Sequence, residues 1–142
     1  MDLKERLREA GIQASAQRLA VGEYVLRTGQ HPTADQVYTG VRSVLPMVSR
    51  ATIYNTLNLF VQKGLLRRQL IKEGCTIYDA RMEPHHYFID DMTGQIHDLP
   101  WDSIHVEPGP GLDEFEITDW HVVIKGRVPR STSVDKDRAV LV

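Results

Sequence analysis

Residues 33–64 read TADQVYTGVRSVLPMVSRATIYNTLNLFVQKG, and this stretch decides the fold. Thr33, with a glutamine three residues later, forms a capping box, and apolar residues then recur at helical spacing. A short turn with a proline ends this helix, and Ser49 can cap the next one. The spacing predicts one helix over residues 33–45 and another over 49–63. Two helices of this length, joined by so short a turn, predict a helix-turn-helix.

The predicted helix 49–63 has an apolar face and a polar face that carries no acid. The polar side chains are those of Arg50, Thr52, Tyr54, Asn55, Asn58 and Gln62. These groups suit phosphates and base edges, although an ordinary solvated helix surface has the same composition. We expect Arg50 and Tyr54 to enter the groove of a bound DNA. Thr52 and Asn55 would lie beside them.

Two shorter helices are predicted before the helix-turn-helix. One begins at Leu3 and stops at Gly11, and the other is capped by Ser15 and ends at Gly29. We expect Arg18, near the start of the second of these helices, to contact the DNA backbone or to brace the domain.

A β-hairpin is predicted directly after the helix-turn-helix. Residues 65–71 and 75–79 have the composition of strands, and the turn between them contains Gly74. Helices followed by such a hairpin make a winged helix. The hairpin carries basic side chains that could contact the DNA backbone without reading its sequence, namely those of Arg67, Arg68 and Lys72.

Charge is divided unevenly along the 142 residues, whose formal net charge is −2. Residues 1–72 contain 11 Lys or Arg and 5 Asp or Glu, whereas residues 73–142 contain 6 and 14. A basic half favours a polyanionic partner and an acidic half favours cations. Charge can also segregate by chance on a solvated surface.

Composition excludes several classes of protein. The single cysteine, Cys75, excludes an intrachain disulfide framework and a zinc site built on CxxC pairs. No apolar run approaches the ~18 residues that a membrane span needs, and the charged N-terminus does not resemble a secretion signal. We therefore expect a cytoplasmic protein without a membrane partner.

The second half is predicted to form a small sheet. The predicted elements are a hairpin joining residues 87–89 to 95–99, a loop over 106–114, and a strand over 115–125 with a bulge near 118–119. Residues 128–142 have no pattern and are predicted to be a flexible tail. A sheet of about three strands needs further cover. We therefore expect a homodimer, whose two-fold symmetry suits double-stranded DNA with an inverted-repeat operator.

Two histidines and two aspartates stand at the ends of separate predicted elements. They are His31 before the helix-turn-helix, Asp79 at the end of the wing, His85 six residues later and Asp98 at the end of the second hairpin. Together they could surround one cation, and mixed nitrogen and oxygen ligation suits Fe(II), Mn(II) or Zn(II). Each histidine taken singly could instead be a surface residue or a group that hydrogen-bonds a helix end.

From about residue 10 to residue 127 the chain resembles the ferric uptake regulator family. The resemblance rests on Gln17-Arg18, His31-Pro32-Thr33-Ala34-Asp35, Ser49-Arg50-Ala51-Thr52-Ile53-Tyr54-Asn55-Thr56-Leu57, Gly64-Leu65, Tyr78-Asp79, His85-His86 and Thr93-Gly94-Gln95-Ile96-His97-Asp98. Family members are homodimeric transcriptional regulators, not enzymes, that bind DNA in response to a metal ion. The resemblance implies an α+β protein with an N-terminal winged helix-turn-helix domain over residues 1–82. A small α/β dimerisation and metal-sensing domain would then cover residues 83–127.

The family's regulatory metal site would fall on His31, Asp79, His85, Asp98 and position 87. Position 87 is Tyr87 here instead of the histidine of most relatives, and a phenol, with a pKa of about 10, is a poor ligand at neutral pH. Asp98 resembles the carboxylate of the peroxide-responsive branch. That branch implies a repressor in which bound Fe(II) reacts with peroxide and oxidises a ligand histidine, His31 or His85.

Two other sites of the family differ in this chain. The structural zinc is expected to be absent, because the cysteine pairs fall at Asp90 and Thr93. A second metal site would use His86, His105 and His121, and strand alternation directs His86 to the face opposite the regulatory site.

Other functions stay open at this point. Two histidines and a carboxylate can make the facial triad of a non-haem iron enzyme, although no motif for a substrate pocket accompanies them. Tyr87 also leaves open a regulator with an altered metal switch, or one that binds haem through His86 or Tyr87.

Overall fold

A computed structural model describes residues 1–27 and 30–129 of the chain. Its contacts divide the chain into two compact units, one covering Met1–Glu83 and one beginning at Pro84. The border predicted from the sequence, between residues 82 and 83, differs by one residue. Among the helices that are described, none has both the length and the apolar character needed to cross a membrane.

The first unit contains four helices whose starts follow from local capping. The Thr33 hydroxyl accepts from the backbone of Gln36, whose side chain accepts from the Thr33 backbone, so the predicted capping box is confirmed. Ser15 and Ser49 also cap helices as predicted. The predicted end at Gly29 lies outside the described residues. The helices are α1 (Leu3–Glu9), α2 (Ala16–Arg27), α3 (Ala34–Arg42) and α4 (Arg50–Gln62).

Helix α3 is shorter than predicted and ends at Arg42 instead of residue 45. The backbone N–H groups of Val44 and Leu45 both donate to the carbonyl of Val41, so the regular ladder stops there. Pro46 disfavours helical backbone at the residue before it, which explains why the chain turns at this point.

The wing is the predicted antiparallel hairpin, with strands β1 (Arg67–Lys72) and β2 (Cys75–Asp79). The turn residue Gly74 has a φ of 73°, which glycine adopts without strain. Strand β1 starts two residues later than predicted, because Leu65 closes the end of α4 by donating to the carbonyl of Phe60.

The core of the first unit joins all four helices to the wing. Its fully buried side chains include Leu7 of α1, Val25 of α2, Val37 of α3 and Phe60 of α4. Tyr78 of the wing belongs to the same cluster. This packing holds α4 so that its opposite side faces solvent.

The second unit is built on a three-stranded sheet with the order β4-β3-β5. Its strands are β3 (His85–Asp90), β4 (Ile96–Pro100) and β5 (Val123–Gly126). The predicted hairpin is confirmed, since β3 and β4 pair antiparallel, whereas β5 pairs parallel to β3. Its described helices are two short 3-10 turns, Trp101–Ser103 and Leu112–Glu114, the second of which interrupts the predicted loop.

The predicted strand over residues 115–125 is wrong in its first part. Only Val123–Gly126 forms a strand, residues 115–122 are irregular, and no bulge is present at 118–119. In the parallel register Val123 lies beside Tyr87, so β3 extends only two residues further in the direction of Pro84. The alternating apolar residues that come before this point in the chain therefore have no strand to pair with. Of the predicted tail, residues 130–142 lie outside the described residues.

Candidate metal centre and DNA-binding face

The first unit brings His31 and Asp79 together. The backbone N–H of Tyr78 donates to the carbonyl of Pro32 at 2.8 Å, which fastens the end of the wing to the segment before α3. The His31 Nε2 then lies 3.7 Å from the Asp79 Oδ2, and both side chains are nearly buried. The other oxygen of Asp79 accepts from the backbone of Arg81 at 2.9 Å, which orients the carboxylate.

The second unit brings His85 and Asp98 together. Tyr87 lies directly opposite Asp98 in the β3–β4 ladder, so His85, two residues before Tyr87, shares a face with both. The His85 Nε2 is 3.5 Å from the Asp98 Oδ1. The His85 side chain is buried, whereas that of Asp98 is 26% exposed.

The two nitrogen–oxygen separations, 3.7 and 3.5 Å, are slightly wider than those between two ligands of one ion. Two atoms that each lie about 2.1 Å from a metal, at an angle of about 90–110°, are about 3.0–3.4 Å apart. A direct hydrogen bond would be shorter, with a donor–acceptor distance of about 2.7–3.2 Å. Imidazole and carboxylate are also the donor types that Fe(II), Mn(II) and Zn(II) accept.

Tyr87 occupies the centre of the face that carries His85 and Asp98. Its side chain is almost completely buried, and its ring packs edge-on against His85 at 4.9 Å and against His121 at 5.3 Å. A ring held in this way supports His85 by packing. The strand alternation predicted for residues 85–87 is confirmed, because His86 points to the opposite face.

His86 is fully buried and stacks on Trp101, with 4.5 Å between ring centroids. Its Nδ1 accepts from the backbone N–H of Val122 at 3.0 Å, so the proton of the neutral ring lies on Nε2. The Nε2 is itself buried and has no hydrogen-bond partner among the described residues. A metal bound at Nε2 would therefore require another tautomer and the loss of the bond to Val122.

The other residues of the predicted second site lie in different surroundings. His105 has a side chain that is 89% exposed and lies 4.0 Å from Glu107. His121 contacts Tyr87, while the neighbouring Trp120 packs near His86. Within the second unit, no three described His, Cys, Asp or Glu residues are close enough to share an ion. The second site stays a prediction.

Helix α4 exposes most of its predicted polar face. Tyr54 is 44% exposed, and Asn55 also faces solvent. Thr52 is half-buried, and its hydroxyl accepts from that of Ser49 at 3.0 Å. Tyr54 and Asn55 are therefore the more accessible of the predicted DNA-contacting side chains beside Arg50.

Arg50 has two partners that the sequence analysis missed, both on α3. Its Nη1 donates to the Asp35 Oδ1 at 2.6 Å, and its guanidinium lies 4.4 Å from the centre of the Tyr38 ring. Asp35 and Tyr38 are three residues apart and so share one side of α3. The sequence therefore shows that Asp35 and Tyr38 lie on one side of α3. It does not show that this side faces Arg50, because that depends on how α3 packs against α4.

Arg18 and the wing are also tied to neighbouring segments. The Arg18 Nη1 donates to the carbonyl of Gln13 at 2.9 Å, which agrees with the bracing role among the two expected for it. Arg68 on the wing donates to the side-chain oxygen of Asn58 on α4. The wing is thus fastened to the exposed side of that helix.

Known proteins resemble this chain over most of its length. A model of the ferric uptake regulator family matches residues 9–124. The peroxide operon regulator of Bacillus subtilis (strain 168) is 33% identical over 118 residues, which cover 83% of this chain and 76% of that protein.

Solved structures of low sequence identity share the fold. The ferric uptake regulator of Pseudomonas aeruginosa with manganese matches with a TM-score of 0.63 at 20% identity, covering 92% of this chain and 100% of that one. The peroxide stress regulator of Campylobacter jejuni matches with a TM-score of 0.59 at 23% identity, covering 93% and 100%. At these identities the likeness concerns the fold alone.

Proposed function

The chain belongs to the ferric uptake regulator family, and we propose that it is a metal-dependent repressor of transcription that binds operator DNA as a homodimer. The proposal rests on two kinds of observation: a histidine–aspartate pair within each unit, and an exposed, acid-free face on α4. Such a regulator acts on the chromosome, so we place it in the cytoplasm.

We propose that the two pairs bind one divalent ion together. Each of His31, Asp79, His85 and Asp98 offers one imidazole nitrogen or carboxylate oxygen. Only five residues separate Asp79 from His85 along the chain, so one ion could take ligands from both pairs. An ion with ligands from both units would favour one arrangement of the DNA-binding units over others, and DNA of matching half-site spacing would in turn favour the ion.

The ion is proposed to be Fe(II) or Mn(II), for which Zn(II) can substitute. The relative from Bacillus subtilis is named for peroxide. Asp98 also resembles the carboxylate of the peroxide-responsive branch of the family. We therefore propose hydrogen peroxide as the signal when iron is bound. The oxidised side chain would be His31 or His85, which takes up one oxygen atom while the other leaves as water.

The test of metal dependence uses a DNA probe that the protein itself selects. The Mn(II)-loaded protein is first used to select a duplex from a random library, and affinity is then measured by fluorescence anisotropy at one salt concentration. We expect the selected duplex to bind at least about tenfold more tightly with Mn(II) than after chelation, since allosteric couplings are typically 5- to 150-fold. Equal affinities would contradict the proposal.

A matched pair of histidine variants locates the metal in this experiment. His85→Ala removes a buried donor of the second unit, whereas His105→Ala removes an exposed histidine of the same unit. His85→Ala should abolish the Mn(II) effect, and His105→Ala should keep it. If His105→Ala instead removes a second bound ion per chain, the predicted site of His86, His105 and His121 gains support.

A further inference from the structure

We propose that Asp35 determines the DNA selectivity of the protein by holding and partly neutralising Arg50. The inference rests on the proposed DNA-binding function and assigns a role to a residue outside the predicted DNA-contacting set. It concerns one ion pair between the start of α3 and the start of α4.

Two neighbours hold Arg50, although its side chain lies on an exposed face. One Nη1 donor is used by Asp35 at 2.6 Å, and the Tyr38 ring supports the flat side of the guanidinium at 4.4 Å. The side chains of Arg50 and Asp35 are still 60% and 73% exposed. The remaining guanidinium donors of Arg50 have no other partner in the part of the chain that the structure describes.

Asp35 is itself held in place by its position on α3. It lies in the first turn of the helix, between the capping-box residues Thr33 and Gln36, where the helix dipole favours a negative charge. Its carboxylate therefore lies beside Arg50 without needing DNA. Neither α4 nor its capping residue contains an acid. The carboxylate beside Arg50 therefore comes from Asp35 on the neighbouring helix α3.

The electrostatic consequence differs between the two ways in which an arginine can contact DNA. A phosphate attracts the full charge of a guanidinium regardless of sequence, and a neighbouring carboxylate weakens that attraction. A base edge is recognised mainly by the direction of the donors, which Asp35 and Tyr38 fix. The pair thus disfavours non-specific binding more than binding to a matching operator.

The test compares Asp35→Asn with Glu23→Gln. Glu23 also pairs with an arginine on the surface of the first unit, at 3.3 Å from Arg27, so both variants remove one carboxylate charge and one exposed ion pair. Exposed pairs contribute little to folding, and thermal unfolding of both variants should confirm that the fold is kept. The probes are the duplex selected by the wild-type protein and a scrambled duplex of the same composition, with Mn(II) present.

We expect Asp35→Asn to tighten binding to the scrambled duplex by about three- to tenfold and to steepen its dependence on salt by about 0.9, the value of one added phosphate contact. Binding to the selected duplex should change less, so that discrimination falls. Glu23→Gln should leave the discrimination ratio and the salt dependence unchanged.

Two results would overturn the inference. One is an unchanged ratio of selected to scrambled affinity in Asp35→Asn, and the other is the same fall in both variants. If the wild-type protein selects no duplex at all, the proposed function itself fails. A wild type that selects a duplex and responds to Mn(II), with an unchanged ratio in Asp35→Asn, leaves that function standing and rejects only the role of Asp35.

Discussion

The two units differ in what fills their interiors. In the first unit, 15 buried residues from four helices and the wing form one continuous cluster, and all but one of them are aliphatic or phenylalanine. In the second unit, the described buried side chains are those of Tyr87, Ile89, His85, His86 and Asp90. Large apolar side chains meanwhile remain on its surface, among them Phe115, Ile117, Trp120 and Ile124.

The first unit is stabilised by its own apolar core, whereas the second unit is organised around polar and aromatic contacts. Burial of apolar area is the main favourable term in folding, and the first unit has most of it. The interior of the second unit holds the His85–Asp98 pair and the stack of His86 on Trp101. We infer that its exposed apolar side chains are covered by a second copy of the chain.

The largest effect is expected from a change in the core of the first unit. Phe60→Ala removes a fully buried ring that belongs to the cluster joining the helices, and should lower the free energy of unfolding by about 3–5 kcal/mol. The measurement is urea unfolding of the metal-free protein, followed by circular dichroism at the helix signal.

The control for this change is Leu70→Ala on the wing. Leu70 is 65% exposed, so its truncation should alter the free energy of unfolding by no more than about 0.5 kcal/mol. Similar losses in the two variants would show that the first unit does not depend on its own core, and would remove the contrast between the units.

The next largest effect concerns the surface of the second unit. Phe115→Lys combined with Ile117→Lys places two charges where apolar side chains are 68% and 54% exposed. If a second copy covers them, removing each apolar side chain should weaken dimerisation by about 1.5 kcal/mol or more. The dimer dissociation constant should then rise at least about 100-fold. Sedimentation equilibrium of the metal-free protein measures it.

A pair of exposed apolar residues in the first unit gives the matching control. Val44 and Met47 are 70% and 95% exposed, and their replacement by lysine adds the same charge. That variant should keep the wild-type dimer. Dimers of equal strength in both double variants would place the interface away from Phe115 and Ile117.

Sequence reasoning succeeded where structure depends on neighbours in the chain. The Thr33 capping box, the Ser49 cap and the turn at Gly74 were all predictable, because each involves residues within three or four positions. The two histidine–aspartate pairs stand at the ends of predicted elements, which come together because the backbone of Tyr78 donates to Pro32 and β3 pairs with β4.

It failed where a segment depends on a distant partner. Residues 115–122 alternate like a strand, but β3 starts at His85, so residues 115–120 have no strand to pair with. The contact of Arg50 with Asp35 was missed for the same reason, because it joins two helices across 15 positions of sequence. The tautomer of His86 likewise follows from Val122, which lies 36 residues away.

The smallest effects come from two glycines that test how tightly each unit is packed. A Cβ built at Gly40 on α3 would lie 2.1 Å from the ring of Tyr24, whereas one at Gly126 on β5 would lie 3.3 Å from the end of the Phe88 ring. Gly40→Ala should therefore destabilise by about 1–3 kcal/mol through overpacking, after a gain of at most about 1 kcal/mol in helix propensity. Gly126→Ala should change stability by less than about 0.5 kcal/mol, because a slight shift of Phe88 offsets the gain in chain stiffness.

Gly109→Ala isolates the effect of chain stiffness in this comparison. A Cβ at Gly109 meets nothing within 4 Å, and the backbone there is not left-handed. It should stabilise by about 0.4–1 kcal/mol, since only the unfolded chain loses freedom. Urea unfolding of all three variants gives the comparison, and a loss in Gly126→Ala as large as that in Gly40→Ala would mean that the sheet is packed as closely as the helices. In that case looser packing of the sheet would not explain the polar interior of the second unit.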